Sequence, residues 1–263
     1  MIKNYVQMGE LCKHMSQKAI DKAYQLMPGL KGVLAYVFPY LADSTDGNLS
    51  LYARGMDYHI VVKNELSKLC DELNKQYPQS AFEPFVDASP FPEVFAAAKA
   101  GLGVIGKNNL LITPEYGSFV FIGLIATDLG CGGIDMPVRS CINCGACVRA
   151  CPTKALSEGG FEPFKCLSDI TQRKGELSTL ERQLIKTGKT VWGCDACQLV
   201  CPMNREAKST HISEFKDDLI SSLTASDIPC TNREFKAKYG TRAFSWRGRA
   251  PLARNTEIQQ SDE

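Results

Sequence analysis

Apolar residues run along the chain in two rhythms. Gly32 to Leu41 (GVLAYVFPYL) and Ser118 to Thr127 (SFVFIGLIAT) are long apolar runs rich in strand formers, and both predict buried strands. Between them, Tyr52 to Gln76 carries Ile60, Val61, Leu66, Leu69 and Leu73 at roughly helical spacing, closed by Pro78, which predicts a helix. Residues 2–27 hold many helix formers and no strong breaker before Met27-Pro28-Gly29, so the start is expected to be mostly helical. Phe82 to Ala88 (FEPFVDA) predicts a short strand ending on an acid, Asp87. Pro92 to Ala100 predicts a short Ala-rich helix, with Pro near its first turn and Gly101 past its end. Asp43 to Asn48 is a loop by composition, Pro114 to Gly117 a hairpin turn, and Gly130 to Ser140 a linker. Strands and helices mix in this half, so the expected core is α/β or α+β.

Gly101-x-Gly103-x-x-Gly106-Lys107, with Asp128 at about the right offset, has the letters of a dinucleotide fingerprint. That fingerprint needs a strand before it and a helix after it. Here a predicted helix precedes it and the β-rich Asn109 to Thr113 follows, so a glycine-rich helix-to-strand turn is the reading.

The second half is organised by cysteine. Cys141-x2-Cys144-x2-Cys147-x3-Cys151-Pro152 is followed by Cys194-x2-Cys197-x3-Cys201-Pro202. The first run is the ligand pattern of bacterial ferredoxins, in which three close cysteines hold one 4Fe–4S cluster and the fourth holds the other. Cys141, Cys144 and Cys147 then share one cluster, completed by Cys201. Cys151, Cys194 and Cys197 are one thiolate short of a second set, and Cys166, between the runs, is assigned to it. Paired CxxC motifs also suit zinc, but the CxxCxxC triple and the two Cys-Pro ends favour clusters. Twelve cysteines without a signal peptide point to a reducing compartment, and so to the cytoplasm and to metal ligation rather than disulfides. Cys12, Cys70, Cys131 and Cys230 are scattered and read as small buried hydrophobes.

A net charge of +1 announces no global attraction to nucleic acid, and no apolar run approaches a membrane span. One local patch is basic. Phe235 to Arg254 carries Lys236, Lys238, Arg242, Arg247, Arg249 and Arg254 with Phe244 and Trp246 interleaved. Such a mixture can clamp nucleic acid; the plainer reading is a solvated tail pinned by two aromatics. Glu257 to Glu263 is expected to be disordered. The expected division is residues 1–135, a ferredoxin-like two-cluster domain at 136–210, and a helical, basic segment at 211–263.

Six stretches stand in order: Tyr52-Ala-Arg-Gly-x-Asp-Tyr-His59, Val86-Asp87, Ala100-Gly-Leu-Gly103, Pro114-Glu-Tyr-Gly-Ser118, Gly193-Cys-Asp-x-Cys-Gln-x-Val-Cys-Pro202 and Asn232-Arg-Glu-Phe-Lys236. As a set they resemble the epoxyqueuosine reductases, over about residues 26–257. That family completes queuosine on tRNA with cobalamin and two 4Fe–4S clusters, and is related to reductive dehalogenases. The resemblance implies a cobalamin-binding α/β domain similar to a nitroreductase core, joined to a bacterial-ferredoxin-like domain. It makes Asp87 the proton donor beside the cobalamin and places Leu111, Ile122, Ser168, Asp195 and Ala196 against the corrinoid. It agrees with Cys166 as an isolated cluster ligand. It puts Lys174-Gly175 on the tRNA side, where Arg247 and Arg249 of the basic segment are the other expected contacts. Three departures are visible. The region before the first strand is shorter, Val94 and Ala98 replace the family's Arg and Glu, and the HEAT-like repeats that follow Arg254-Asn255 in the family are missing. Weak tRNA binding is the expectation.

Cleaving an epoxide to an alkene takes two electrons and protons. Clusters pass electrons singly at low potential, the protein supplies placement and an acid, and the source is expected to be an external low-potential donor such as flavodoxin or ferredoxin. Asp87 follows the apolar Phe85-Val86, where burial is expected to raise its pKa. The chain has only His14, His59 and His211 and lacks an Asp-x-His-x-x-Gly motif, so cobalamin is expected base-off. Two other functions fit these residues: a cobalamin-dependent reductase of a small, for example halogenated, substrate, and a cluster-only electron-transfer protein. The long non-ferredoxin half counts against the last.

Overall fold

The computed structural model describes residues 4–42, 46–132 and 136–261. The chain divides into two compact units. One comprises Met1–Pro39 and Tyr58–Asn143; the other comprises Tyr40–Asp57 and Cys144–Glu263. The segment 40–57 thus belongs with the cysteine-rich half, where the sequence-order division has it in the first domain.

The first unit is built on a four-stranded antiparallel sheet. Its elements are β1 (Tyr5–Gln7), α1 (Met8–Cys12), α2 (Gln17–Leu26), β2 (Gly32–Pro39), α3 (Tyr58–Gln76), β3 (Phe82–Phe85), α4 (Glu93–Lys99), β4 (Val104–Ile105), β5 (Leu111–Ile112) and β6 (Val120–Thr127). The sheet order is β1-β2-β6-β3. The two apolar runs pair in register from Gly32↔Thr127 to Pro39↔Val120, and they are apolar throughout because both faces are covered. Val33, Ala35, Leu124 and Ala126 share a buried cluster with Leu11, Ala23 and Ala96 to Ala98, from α1, α2 and α4. On the other face α3 comes so close that a Cβ on Gly123 would lie 2.9 Å from Leu66 and 3.0 Å from Val62. The start is mostly helical, as expected, in α1 and α2, but an edge strand precedes them: Tyr5–Gln7, fixed by pairing Tyr5↔Leu34. The long helix starts at Tyr58, and Leu51–Ala53 is a single 3-10 turn.

The second unit contains α5 (Ala146–Ala150), β7 (Leu156–Ser157), β8 (Gly160–Phe161), α6 (Leu167–Gln172), α7 (Thr179–Gly188), α8 (Ala196–Leu199), α9 (Asn232–Tyr239) and α10 (Arg249–Gln260). Capping boxes at Ser178/Glu181 and Thr231/Glu234 start α7 and α9, each satisfying two otherwise orphaned amides. The basic segment is folded rather than a solvated tail. Phe235, Tyr239 and Phe244 are buried, with successive ring centroids 5.4 Å apart at steep angles. The expected disorder from Glu257 is also corrected, since α10 runs to Gln260 with Ile258 in a buried cluster with Leu167, Ile170 and Ile185. Parts of two expected irregular stretches, residues 43–45 of the loop and 133–135 of the linker, lie outside the described residues, as do 262–263 of the tail. Among the described residues no helix is long and apolar enough to cross a membrane.

Candidate functional site

Asp87 stands two residues past β3, and it and Ala88 both have left-handed backbone, φ 50° and 43°. Such conformations are uncommon outside glycine and mark a constrained loop. Tyr58 and His59, the first two residues of α3, meet its carboxylate. The Tyr58 hydroxyl donates to Asp87 Oδ2, and His59 Nε2 lies 3.3 Å from the same oxygen. The Tyr58 ring is itself clamped, stacked on Phe121 with centroids 4.2 Å apart and on His59 at 4.1 Å. Burial pushes the Asp87 carboxyl upward, but the hydrogen bonds from His59 and Tyr58 and the charge of His59 outweigh it, so the pKa lies below the ordinary value. This corrects the expectation that burial raises it: the strand end brings in an acid, and α3 brings in two donors that stabilise its charged form.

A second carboxyl lies close by. Glu93, at the start of α4, accepts from Ser89 Oγ at 2.7 Å. Burial, with a further contribution from the Asp87 charge, lifts its pKa to about 7 against the pull of Ser89 and His59. Spacing alone did not single out Tyr58, His59 or Glu93. Tyr58 and His59 close the quoted Tyr52–His59 motif, the one signal that pointed to them. The glycine-rich turn is what its context implied. It joins α4 to the antiparallel pair β4–β5, and a Cβ on Gly103 would lie 2.4 Å from the Ile112 carbonyl oxygen, so the glycine serves close packing.

In the second unit the cysteines converge. Cys151 lies in a small buried cluster against which Cys147, Cys166 and Cys197 pack. Burial, chiefly, and the nearby Cys166, Asp195 and Cys151 raise the Cys194 thiol to about 11. Backbone amides are aimed at the sulfurs: Thr153, Ala155 and Leu156 at Cys151, Ser168 and Asp169 at Cys166, and Ala196 at Cys194. Amides so placed favour thiolate over thiol. Yet among the described residues no three His, Cys, Asp or Glu close round a single ion. Gly145, at φ 70°, makes the sharp turn from Cys144 into α5. Of the scattered cysteines only Cys70 is buried; Cys12 and Cys131 are half-buried and Cys230 is exposed, which corrects the expectation for Cys230.

The remaining expected contacts divide. In the first unit Leu111 is buried in the core cluster and Ile122 packs partly against it. In the second, Ser168 is half-buried and takes a hydrogen bond from Gln172. Asp195 is spent internally, accepting from Ser50 Oγ at 2.5 Å and from the Leu51 amide at 2.9 Å. Asp195 and Ala196 also line a cavity of about 310 Å³ with Leu167, Thr190 and Cys194. Lys174 is exposed on a turn held by Arg254 Nη1, which donates to the carbonyls of Arg173 and Gly175 at 2.9 and 2.7 Å. Arg247 lies 3.7 Å over the ring of Trp246, which is 56% exposed and donates to Gln172 Oε1 at 3.1 Å. Arg249 is directed inward, its Nε donating to the Pro229 carbonyl.

Two family models match: "Epoxyqueuosine reductase QueG, DUF1730" over residues 22–88 and "4Fe-4S double cluster binding domain" over residues 140–204. The epoxyqueuosine reductase of Bacillus cereus is 35% identical over 244 residues, covering 88% of this chain and 63% of the relative. That of Lactococcus garvieae is 38% identical over 213 residues, 80% of this chain and 60% of the relative. The chain thus spans about three-fifths of the length of these relatives. The epoxyqueuosine reductase structure from Streptococcus thermophilus matches with a TM-score of 0.80 and 29% identity over 90% of this chain and 65% of that one. A Bacillus subtilis epoxyqueuosine reductase, solved with an aspartate catalytic loop swung out of the active site, matches at 0.82 with 30% identity, over 96% of this chain and 70% of that one. Another was solved with a tRNA-Tyr epoxyqueuosine-modified stem loop (0.81, 32% identity, 90% and 66%). By these identities and this coverage, the chain belongs to the epoxyqueuosine reductase family.

Proposed function

We propose that this chain reduces epoxyqueuosine to queuosine in tRNA. The observation that carries the reading is the Asp87 loop: a carboxylate on strained backbone at the end of β3, gripped by Tyr58 and His59, in a family with a member described by an aspartate catalytic loop. Reducing an epoxide to an alkene breaks both C–O bonds and releases the oxygen as water, which takes two electrons and two protons. Each departing oxygen charge needs an acid, and an acid in place is worth about a hundredfold or more. Asp87 is the group that delivers protons here. Tyr58 and His59 hold its carboxylate at one orientation.

The electrons enter singly through two 4Fe–4S clusters, held by Cys141, Cys144, Cys147 and Cys201, and by Cys151, Cys166, Cys194 and Cys197. The convergence of Cys151, Cys166 and Cys194, with amides aimed at their sulfurs, supports the second set. A small low-potential electron carrier of the flavodoxin or ferredoxin class supplies them. The family resemblance assigns Leu111, Ile122, Ser168, Asp195 and Ala196 to a corrinoid; Ile122, Ser168 and Ala196 are each half-exposed, Leu111 is buried, and Asp195 accepts from Ser50 and the Leu51 amide. A bound cobalamin would supply a strong low-potential reductant. The tRNA is met by Lys174 and Arg247 with the exposed Trp246, while Arg249 contributes by fixing that segment.

The test is turnover of an epoxyqueuosine-bearing tRNA stem loop by anaerobically reconstituted protein with cobalamin and a low-potential reductant. Queuosine is the expected product. Asp87→Asn should keep iron and cobalamin content and lose about a hundredfold or more in rate. Loss of cobalamin with unchanged rate per loaded site makes Asp87 a binding residue. Turnover of small halogenated compounds with none of the tRNA moves the chain to the other reductase class.

A further inference from the structure

The Asp87 loop lacks one thing its proposed chemistry needs: a proton supply. Asp87 accepts from Tyr58 and His59 on the same oxygen, so at neutral pH it stands as a carboxylate with no proton to give. The reaction consumes two protons. A store must lie within reach, and it must be protonated when Asp87 is not.

The first unit holds such a group on the far side of the same loop. Asp87, Ala88 and Ser89 form the strained link from β3 to α4, and Glu93 is the first residue of α4. The Ser89 hydroxyl, two residues from Asp87, donates to Glu93 Oε1 at 2.7 Å and takes the Phe91 amide at 3.3 Å. Phe91 is buried, and Phe85 packs edge-on against it at 5.6 Å, which fixes the loop between the two acids. Among the described residues no Lys or Arg pairs with Glu93. A half-buried carboxyl near another carboxylate, with no Lys or Arg to pair it, is favoured in its protonated form. The groups facing the pair are Tyr58 and His59 from α3, Ser89 from the loop, and the two acids themselves.

We propose that Glu93 is the proton store of the Asp87 site, acting through Asp87 rather than on the substrate. The step is a plain proton transfer: the Glu93 O–H bond breaks, an O–H bond forms on the Asp87 carboxylate, and the charge moves from Asp87 to Glu93. Asp87 then delivers that proton to the departing oxygen, and bulk water refills Glu93. The shift of Glu93 to about 7 by burial and by the Asp87 charge matches a store half-loaded at neutral pH. The inference rests on the epoxide-reductase reading for its substrate, but not for its first test.

That test needs no substrate. Infrared difference spectra of the full, cluster-loaded chain between about pH 6 and about pH 8 should show one protonated-carboxyl band titrating near neutrality, far above an ordinary glutamate. Glu93→Gln should abolish the band, and Asp87→Asn should move its midpoint to lower pH by removing the neighbouring charge. Absence of the band, its survival in Glu93→Gln, or an unmoved midpoint in Asp87→Asn overturns the proposal. With epoxyqueuosine-bearing stem loop as substrate, Glu93→Gln should lower kcat about tenfold or more, less than loss of the direct acid. It should leave KM within about twofold and erase the fall in kcat above neutrality, while Glu93→Asp restores part of that fall. A wild-type pH profile in Glu93→Gln also overturns it. A titrating, Asp87-coupled band in a protein that does not reduce epoxyqueuosine would leave the proton store standing and remove only the substrate reading.

Discussion

Asn255 offers a sharp test of how α10 supports the cluster region. Its side chain is fully buried, and Nδ2 donates to two carbonyls, Thr171 at 2.7 Å and Val191 at 2.9 Å. Thr171 in turn accepts the Gly193 amide on its hydroxyl at 2.9 Å, and Gly193 immediately precedes Cys194. One amide thus ties α10 to the end of α6 and to the strand-like segment entering the second cysteine run. Asn255→Leu keeps the volume and removes both donors. Two buried carbonyls without partners cost roughly 1–3 kcal/mol each, or about 2–6 kcal/mol together. Because about 1.4 kcal/mol is tenfold in an equilibrium, the opening that exposes the Gly193 amide should become at least about thirtyfold more frequent. Hydrogen exchange of the intact, cluster-loaded protein reads this directly at Gly193. Amides of β2 and β6, in the other unit, serve as the internal control and should be unchanged. Exchange at Gly193 within about twofold of the wild type would refute the reasoning, because the two hydrogen bonds would then be worth nothing net.

Cys166→Ala should halve the iron bound after anaerobic reconstitution, from about eight to about four atoms, since it strips one ligand from one four-cysteine set. Two intact clusters by iron analysis and EPR in that variant would break the pairing. Binding of the tRNA stem loop should weaken steeply with salt, because phosphate contacts release counterions. Lys174→Ala should reduce the slope of log affinity against log salt by about one; an unchanged slope would remove Lys174 from the interface. Arg249→Ala should act through folding instead, because its guanidinium is turned to Pro229, and a shift in slope without a shift in thermal stability would reverse that assignment.

Much of the frame was legible because periodicity and burial point the same way. The two apolar runs are strands covered on both faces, and α4 begins and ends where Pro92 and Gly101 punctuate it. The cysteine spacing was legible for a different reason, since ligand geometry dictates it locally. What was not legible depends on partners far away in sequence. Tyr5–Gln7 becomes a strand only because β2 offers an open edge. The sign of the Asp87 shift depends on Tyr58 and His59, which α3 delivers from nearly thirty residues upstream. Arg247 and Arg249 look alike as letters, yet one lies over an exposed Trp246 ring and the other donates to a carbonyl. Charge patterning gives the basic residues of a segment; only packing decides which of them face a ligand.

The buried character of Glu93 has a consequence for stability that is independent of any reaction. Its carboxyl rises from 4.5 to about 7 on folding. Between those values the folded chain binds more protons than the unfolded one, so stability falls as pH rises through that window and levels off above about 7. The full shift corresponds to at most about 3 kcal/mol, and about half of that once the water reaching a half-buried carboxyl is allowed for. Glu93→Gln is neutral at every pH and escapes this loss. The variant and the wild type should therefore be nearly equal in stability at about pH 5, and the variant should be more stable by about 1–2 kcal/mol at about pH 8. Anaerobic urea unfolding of the full chain at both pH values measures the difference. A stability difference that does not change with pH would mean that Glu93 ionises as an ordinary surface glutamate, and that the strained Asp87 loop leaves it open to water.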